Sequence, residues 1–240
     1  MTKGFVAITG ASSGIGEATA NYFLEKGHNV LLLARRIERL EKFQGEQVRI
    51  AKVDVTDEAA LKSAIQQAAD KFGPIQAMIN NAGVMLLGDV ANQSSDEWKT
   101  MFDVNVLGLL KGMQAVLPSM IERKTGTIIN VSSIAGKKTF TDHAAYVGTK
   151  FAVHSMSENV REEVAKHNVR VITIAPGVVE TELLGHTTSD EIKSGYNEWK
   201  NSIQGGLSPQ TVAETIYFAF SQPQNVNIRE IVLAPTMQVG

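Results

Sequence analysis

The chain contains no cysteine. That excludes disulfides, thiolate-bound metals and a cysteine nucleophile, and it fits a reducing compartment, so the expected location is cytoplasmic. Charge of one sign is also lacking. The 23 Lys and Arg nearly balance 25 Asp and Glu, for a net charge of −2. Such a balance gives no long-range field for gathering nucleic acid or an acidic membrane surface, and neither partner is expected. No charged-then-apolar leader precedes the first strand-like segment, and no apolar run approaches membrane-spanning length. The five histidines show no spacing with carboxylates that suggests a metal site, so no metal is predicted. Repeats, low-complexity segments and linkers are absent as well.

What is present is alternation. Short apolar, β-branched runs at 5–9, 30–33, 48–53, 75–80, 127–131, 169–174 and 228–233 are separated by longer stretches of helical period. The runs are continuous rather than alternating, as suits strands buried on both faces of a parallel sheet. Helix starts are marked by Ser94-x-x-Glu97, which has capping-box spacing, and by Ser208-Pro209. The expectation is one α/β domain over 1–240, a Rossmann fold whose doubly wound parallel sheet has about seven strands with helices on both faces. The polar stretch at about 183–206 contains four glycines and reads as a mobile substrate lid holding a short helix.

Directly after the first run comes Thr9-Gly10-Ala11-Ser12-Ser13-Gly14-Ile15-Gly16, opening a helix. Glycines there let a pyrophosphate approach amide N–H groups at the positive end of that helix, which makes Gly10, Ser12, Ser13, Gly14, Ile15 and Gly16 candidate cofactor ligands. The bland alternative is a turn that only packs strand on helix, and the spacing G-x-x-x-G-x-G differs from the usual dinucleotide fingerprint. The second strand ends in Ala34-Arg35-Arg36 rather than in an acid. A carboxylate would repel a 2′-phosphate, whereas a guanidinium chelates one, so Arg35 and Arg36 point to NADP(H). Against this, both arginines could begin a solvated surface helix. Asp54-Val55, after the third strand, is placed either to meet an adenine or to cap the next helix.

Tyr146-x-x-x-Lys150 shares one helical face, but the pair alone is weak. Taken with Thr9-x-x-x-Gly14-Ile15-Gly16, Asn80-Asn81-Ala82-Gly83, Asn105, Ser133 and Pro176-Gly177, in this order and spacing, it resembles the short-chain dehydrogenases/reductases from about residue 3 to 181. The resemblance implies Tyr146 as general acid in reduction and general base in oxidation. It implies Lys150 as the ammonium that lowers the phenol's pKa and binds the nicotinamide ribose. By the same resemblance Ser133 donates to the substrate carbonyl, and Asn105 anchors a water in the relay to Lys150. It places Asn81, Ala82 and Gly83 beside the adenosine ribose, and Pro176, Gly177, Val179 and Thr181 at the nicotinamide carboxamide. Read singly, Ser132 or Ser133 is a loop cap and Asn105 a mid-helix amide bonded to its own backbone.

The reaction implied is interconversion of a carbonyl and a secondary alcohol, with Ile134, Met85, Val178 and Leu183 plus the lid as mostly apolar pocket candidates; His143, nearest Tyr146 in sequence, either brushes substrate or, more plainly, is a loop residue. Lys137 and Lys138 could attract a carboxylate. The ending 227–236 resembles a subgroup that includes NADP-dependent dehydrogenases of short 3-hydroxy acids and of serine. Alternatives are a 3-oxoacyl thioester reductase, a broad carbonyl reductase and a non-catalytic NADP-binding sensor. The resemblance also implies a homodimer or homotetramer built on the long helices near 97–121 and 146–166. Arg35→Asp should lower catalytic efficiency with NADPH and raise it with NADH; equal efficiency of the unmodified chain with both would reject the assignment.

Overall fold

Each expected apolar run becomes a strand, within two residues at either end. They are β1 (Phe5–Thr9), β2 (Asn29–Ala34), β3 (Val48–Lys52), β4 (Ile75–Asn80), β5 (Gly126–Val131), β6 (Val169–Pro176) and β7 (Glu230–Leu233). This computed structural model describes residues 4–239; the opening residues 1–3, expected to run straight into β1, lie outside the described residues, as does Gly240. The strands form one sheet in the order β3-β2-β1-β4-β5-β6-β7, and every pairing is parallel. Parallel neighbours cannot be joined by tight turns; β2 and β3 are linked by a segment with one short 3-10 turn (Ile37–Arg39), and the other crossings carry α1 (Gly14–Glu25), α2 (Glu58–Phe72), α3 (Ser95–Phe102), α4 (Leu109–Arg123), α5 (Ala144–Ala165), α6 (Asp190–Ser202) and α7 (Pro209–Ser221).

Side chains alternate across each strand, so the sheet has two cores. Phe5, Ala7, Leu31 and Met78 pack under α2, α4 and α5, whereas Val6, Ile8, Leu32 and Ile79 pack under α1 and α7. A third apolar cluster of Met85, Leu87, Met101, Tyr146 and Val147 with partly buried Ile192 and Tyr196 lies apart from both.

One expectation needs correction. Ser94 does cap α3, but its hydroxyl accepts from Asp96 N at 3.2 Å and Glu97 does not reach back to close a capping box. The Glu97 carboxylate instead accepts from Gln93 Nε2 (3.0 Å) and from Thr188 (2.9 Å), because tertiary partners compete for it. The long helix expected near 97–121 is the run Ser95–Arg123, in which α3 and α4 are joined by a π-turn at Asp103–Gly108. An 18-residue window within it has a mean hydropathy of 1.3, enough by length and composition alone to cross a membrane. Here its apolar face, Leu109, Met113, Val116 and Met120, covers the sheet. The Ser208-Pro209 start is as expected, with Ser208 accepting from Thr211 N at 3.0 Å.

Arg170 is the charged side chain that anchors the C-terminal half. It is buried on β6 and donates to Thr127 Oγ1 (2.7 and 3.0 Å) and to the carbonyls of Phe220 (2.8 Å) and Gln222 (2.9 Å). The carbonyls at the end of α7 have no helical partner and receive one here. Arg170→Met should leave them orphaned and destabilise the fold by about 2–4 kcal/mol, as a fall in the urea midpoint at unchanged m-value.

Candidate active site

The chain leaves β1 and β4 toward opposite faces, into α1 and into the α3–α4 run, and this opens a crevice above the carboxyl ends of the two strands. Thr9 Oγ1 accepts from Asn81 N and Ala82 N, both at 3.0 Å, while Asn81 Nδ2 donates to Thr9 O at 3.0 Å. The two loops thereby lock together. Gly10 (φ +65°) and Gly14 (φ +54°) take the left-handed conformation that favours glycine. A Cβ on Gly16 would lie 2.2 Å from Gly10 O, and one on Gly10 would lie 2.9 Å from Ala82 Cα. Ser13 leads into α1 with no side-chain cap, so that helix keeps its amino end for a ligand. A floor without side chains at a helix amino end fits a pyrophosphate.

This floor belongs to a cleft of about 430 Å³ that brings together Gly10, Ser12, Ser13, Gly14, Ile15, Arg35, Arg36, Asp54, Val55, Asn81, Ala82, Gly83, Tyr146, Lys150 and Thr181. Gly16 packs beneath it, and Pro176, Gly177 and Val179 line the adjoining larger cavity. Arg36 does not pair within its own segment as a solvated helix residue would. Its Nη2 donates to Ser13 Oγ (3.0 Å) and Ser12 Oγ (3.4 Å), and Nη1 donates to Glu182 (3.1 Å). Asp54 lines the cleft and does not cap α2. Its Oδ1 accepts from Thr56 N (2.9 Å) and Thr56 Oγ1 (2.7 Å), while Asp57 supplies the cap.

Tyr146 and Lys150 lie one turn apart on α5, 5% and 7% exposed. Tyr146 lines both the cleft and a cavity of about 1200 Å³. Lys150 Nζ donates to Val131 O at 3.2 Å and lies 5.6 Å from the centre of the tyrosine ring. Burial pushes the phenol well above its ordinary value, while a hydrogen bond from Ser133 pulls it back in part. Burial alone brings Lys150 down to about 8. The expected lowering invoked Lys150 together with a bound nicotinamide ring; in the protein alone, burial is the largest influence on both groups.

Ser133 does cap the turn Ile134–Gly136, accepting from Ala135 N at 3.1 Å, and this fixes its hydroxyl next to Tyr146. Ser132 turns the other way, bonding Lys150 O (3.3 Å) and His154 Nδ1 (3.0 Å). Asn105 neither bonds its own backbone nor leaves its amide free. It accepts from Val84 N (2.8 Å) and donates to Val84 O (2.9 Å) and Thr149 Oγ1 (3.2 Å), clamping the segment after β4.

The larger cavity includes Met85, Ile134, Val178 and Leu183 with Tyr196 and Trp199 of the lid stretch, as expected, but also Phe140 and Gln238, which the sequence did not single out. Ile192, Tyr196 and Trp199 recur at helical spacing on α6, and that stripe was the available signal. His143, a loop residue just before α5, lines the cavity, in keeping with the first of its two readings. Its ring centre is 6.4 Å from those of Tyr146 and Tyr196, and burial lowers its pKa. Lys137 is held by Glu230 at 2.6 Å and Lys138 lies over Phe140, and neither lines the cavity. The expected short lid helix is α6, thirteen residues long. Thr187 fastens the segment before it, donating to Met85 O (3.3 Å) and accepting from Leu87 N (3.2 Å).

A family model described as short chain dehydrogenase matches residues 4–192. The chain belongs to the short-chain dehydrogenase family. It is an oxidoreductase of that family, 40% identical over 240 residues to an uncharacterised oxidoreductase of Staphylococcus saprophyticus, covering 97% of this chain and 96% of the relative. A second uncharacterised oxidoreductase, from Staphylococcus aureus, is 36% identical with 98% of each chain covered. Among solved structures, the closed form of a serine dehydrogenase complexed with NADP+ superposes with a TM-score of 0.91 at 32% identity, covering 98% of this chain and 96% of that one. ElxO with NADP bound gives 0.85 at 29%, covering 96% of each.

Burial of the dehydrogenase's Lys150 has a measurable cost. Between about pH 8 and 10.5 the folded chain holds fewer protons at this residue than the unfolded chain, so its contribution to stability rises with pH across that window. Lys150→Met should stabilise the cofactor-free fold by roughly 1–2 kcal/mol at pH 7 and flatten the rise, as read from urea denaturation at pH 7 and pH 10.

Proposed function

We propose that this dehydrogenase interconverts a carbonyl and a secondary alcohol with NADP(H), using Tyr146 as the proton-transferring group. The observation that carries the reading is the position of Tyr146, one buried phenol shared by the nucleotide cleft and the larger cavity. Bound NADP(H) would supply or accept the hydride. Gly10, Gly14 and the amino end of α1 would hold its pyrophosphate, and Arg35, Arg36 and Ser13 its 2′-phosphate. Val179 is suited to the carboxamide, since its bridge to Leu207 uses the backbone groups of Val178 and Glu180 and not its own.

The raised phenol keeps its proton at neutral pH, the state required of an acid in carbonyl reduction. Ser133, oriented by its cap, would donate to the same carbonyl oxygen as charge develops there. Lys150 would meet the ribose. Asn105, with its amide committed to Val84 and Thr149, would hold a relay water through its main-chain carbonyl. The stretch 183–206 would act as the lid, bringing Tyr196 and Trp199 over the substrate.

Two substrate readings each have support. Similarity to a serine dehydrogenase favours a small hydroxy acid. A neutral, medium-sized ketone is favoured by the cavity itself, because the one ammonium lining it among the described residues, Lys200, is already paired with Glu180 at 2.7 Å. For assembly, we propose a homodimer or homotetramer through the α3–α4 run and α5, where Phe102, Leu107 and Phe151 stand 42–45% exposed.

A panel of ketones with NADPH, and of hydroxy acids with NADP+, tests the reaction and separates the two readings. Tyr146→Phe should abolish turnover, by at least about a thousandfold, with cofactor affinity retained; activity in that variant would overturn the mechanism.

A further inference from the structure

One carboxylate sits where the cofactor reading requires an anion from elsewhere. Glu182 accepts from Arg36 Nη1 at 3.1 Å and from Arg39 Nη1 at 2.8 Å on each of its oxygens. The same Arg36 sends its other nitrogen to Ser13 and Ser12 on the glycine loop. Two guanidiniums and two hydroxyls therefore converge on one end of the cleft, which Glu182 itself lines. Arg39 above all, with Arg36, holds the glutamate's carboxyl below the ordinary range, so it is ionised at neutral pH. The contact spans 146 residues of sequence, from the end of β2 to the residue that opens the turn Glu182–His186 at the start of the lid stretch.

We propose that Glu182 is a built-in competitor for the 2′-phosphate of NADP(H), an internal anion that occupies the Arg36–Arg39 pair and must yield it when the phosphate binds. The proposal rests on the NADP(H) reading above. A carboxylate brings one negative charge and two oxygens, whereas a phosphate monoester brings nearly two charges and three oxygens, so it displaces the carboxylate from a shared pair of guanidiniums. The two anions cannot share the site without repulsion. Glu182 thus lowers the affinity for the phosphorylated cofactor below what the arginines alone would give, and narrows the preference over NAD(H). Its displacement also releases one tether of the lid stretch, leaving the Thr187 staple in place.

The test uses adenosine 2′,5′-bisphosphate and ADP as probes on the full chain, with binding measured by calorimetry at low and high salt. Glu182→Gln keeps the side chain's size and removes its charge. It should bind the bisphosphate roughly three- to tenfold more tightly than the unmodified chain, with ADP within about twofold. The gain should shrink at high ionic strength, since the arginines are solvent-exposed. Glu182→Ala should behave alike. Unchanged or weaker bisphosphate binding in both variants, even with a lowered melting temperature, would make Glu182 a structural tie and overturn the proposal. If the unmodified chain bound the bisphosphate no better than ADP, the 2′-phosphate reading would fail and this proposal with it. A preference in the unmodified chain that both variants left untouched would remove the Glu182 proposal alone.

Discussion

Thr9 and Asn81 hold the ends of β1 and β4 together at the point where the chain departs to opposite faces of the sheet, and the rest of the site is built on that seam. The threonine hydroxyl takes two backbone N–H groups of the β4 loop, and the asparagine amide returns to the backbone of the glycine loop. With the loops so close, Gly10 has room for no more than a hydrogen, and the amino end of α1 faces the crevice instead of a side chain. A second layer of polar bonds sits below. Asn80 donates to Asn130 (2.9 Å), and Asn130 donates to Ser157 (2.8 Å), joining β4, β5 and α5 inside the core. Asparagine is costly to bury unless satisfied. Here the satisfied chain sets the height of α5, and so of Tyr146 and Lys150, over the strand ends.

The two ionisable groups on α5 show what the sheet and its helices impose. Neither Tyr146 nor Lys150 has water to stabilise its charge, so the phenol moves up and the ammonium moves down. A buried lysine bonded to a single carbonyl is poor for stability. It is the kind of group retained where chemistry needs a proton held at a particular place. The lid stretch combines the opposite properties: solvent-facing ion pairs at Glu182, one buried threonine staple, and aromatic side chains turned inward.

The fold was legible because a continuous apolar run has few alternatives when helical stretches separate it from the next. All seven strands followed from that pattern. The cleft was legible because its residues are local: a glycine loop after β1, arginines after β2, a short polar loop after β4. What escaped reading came from partners distant in sequence. Glu97 fits a capping box until Thr188 and Gln93 claim its carboxylate. His143 looks like a loop residue until Tyr196, fifty-three positions later, stacks near it. Asn105 looks like an ordinary helix amide until Val84 passes alongside.

By itself the sequence determined the parallel sheet, the glycine loop at a helix start, the arginines in place of an acid, and the spacing of Ser133, Tyr146 and Lys150. These depend on periodicity and on short spacings along one element, which the chain carries wherever it is. Only the tertiary structure decided that burial is the largest influence on the ionisation of Tyr146 and Lys150, that Lys137 belongs to Glu230 and not to the cavity, and that Glu182 lies across Arg36 and Arg39. Each of those outcomes is set by solvent exclusion or by a contact between distant segments, and neither quantity exists until the chain has folded.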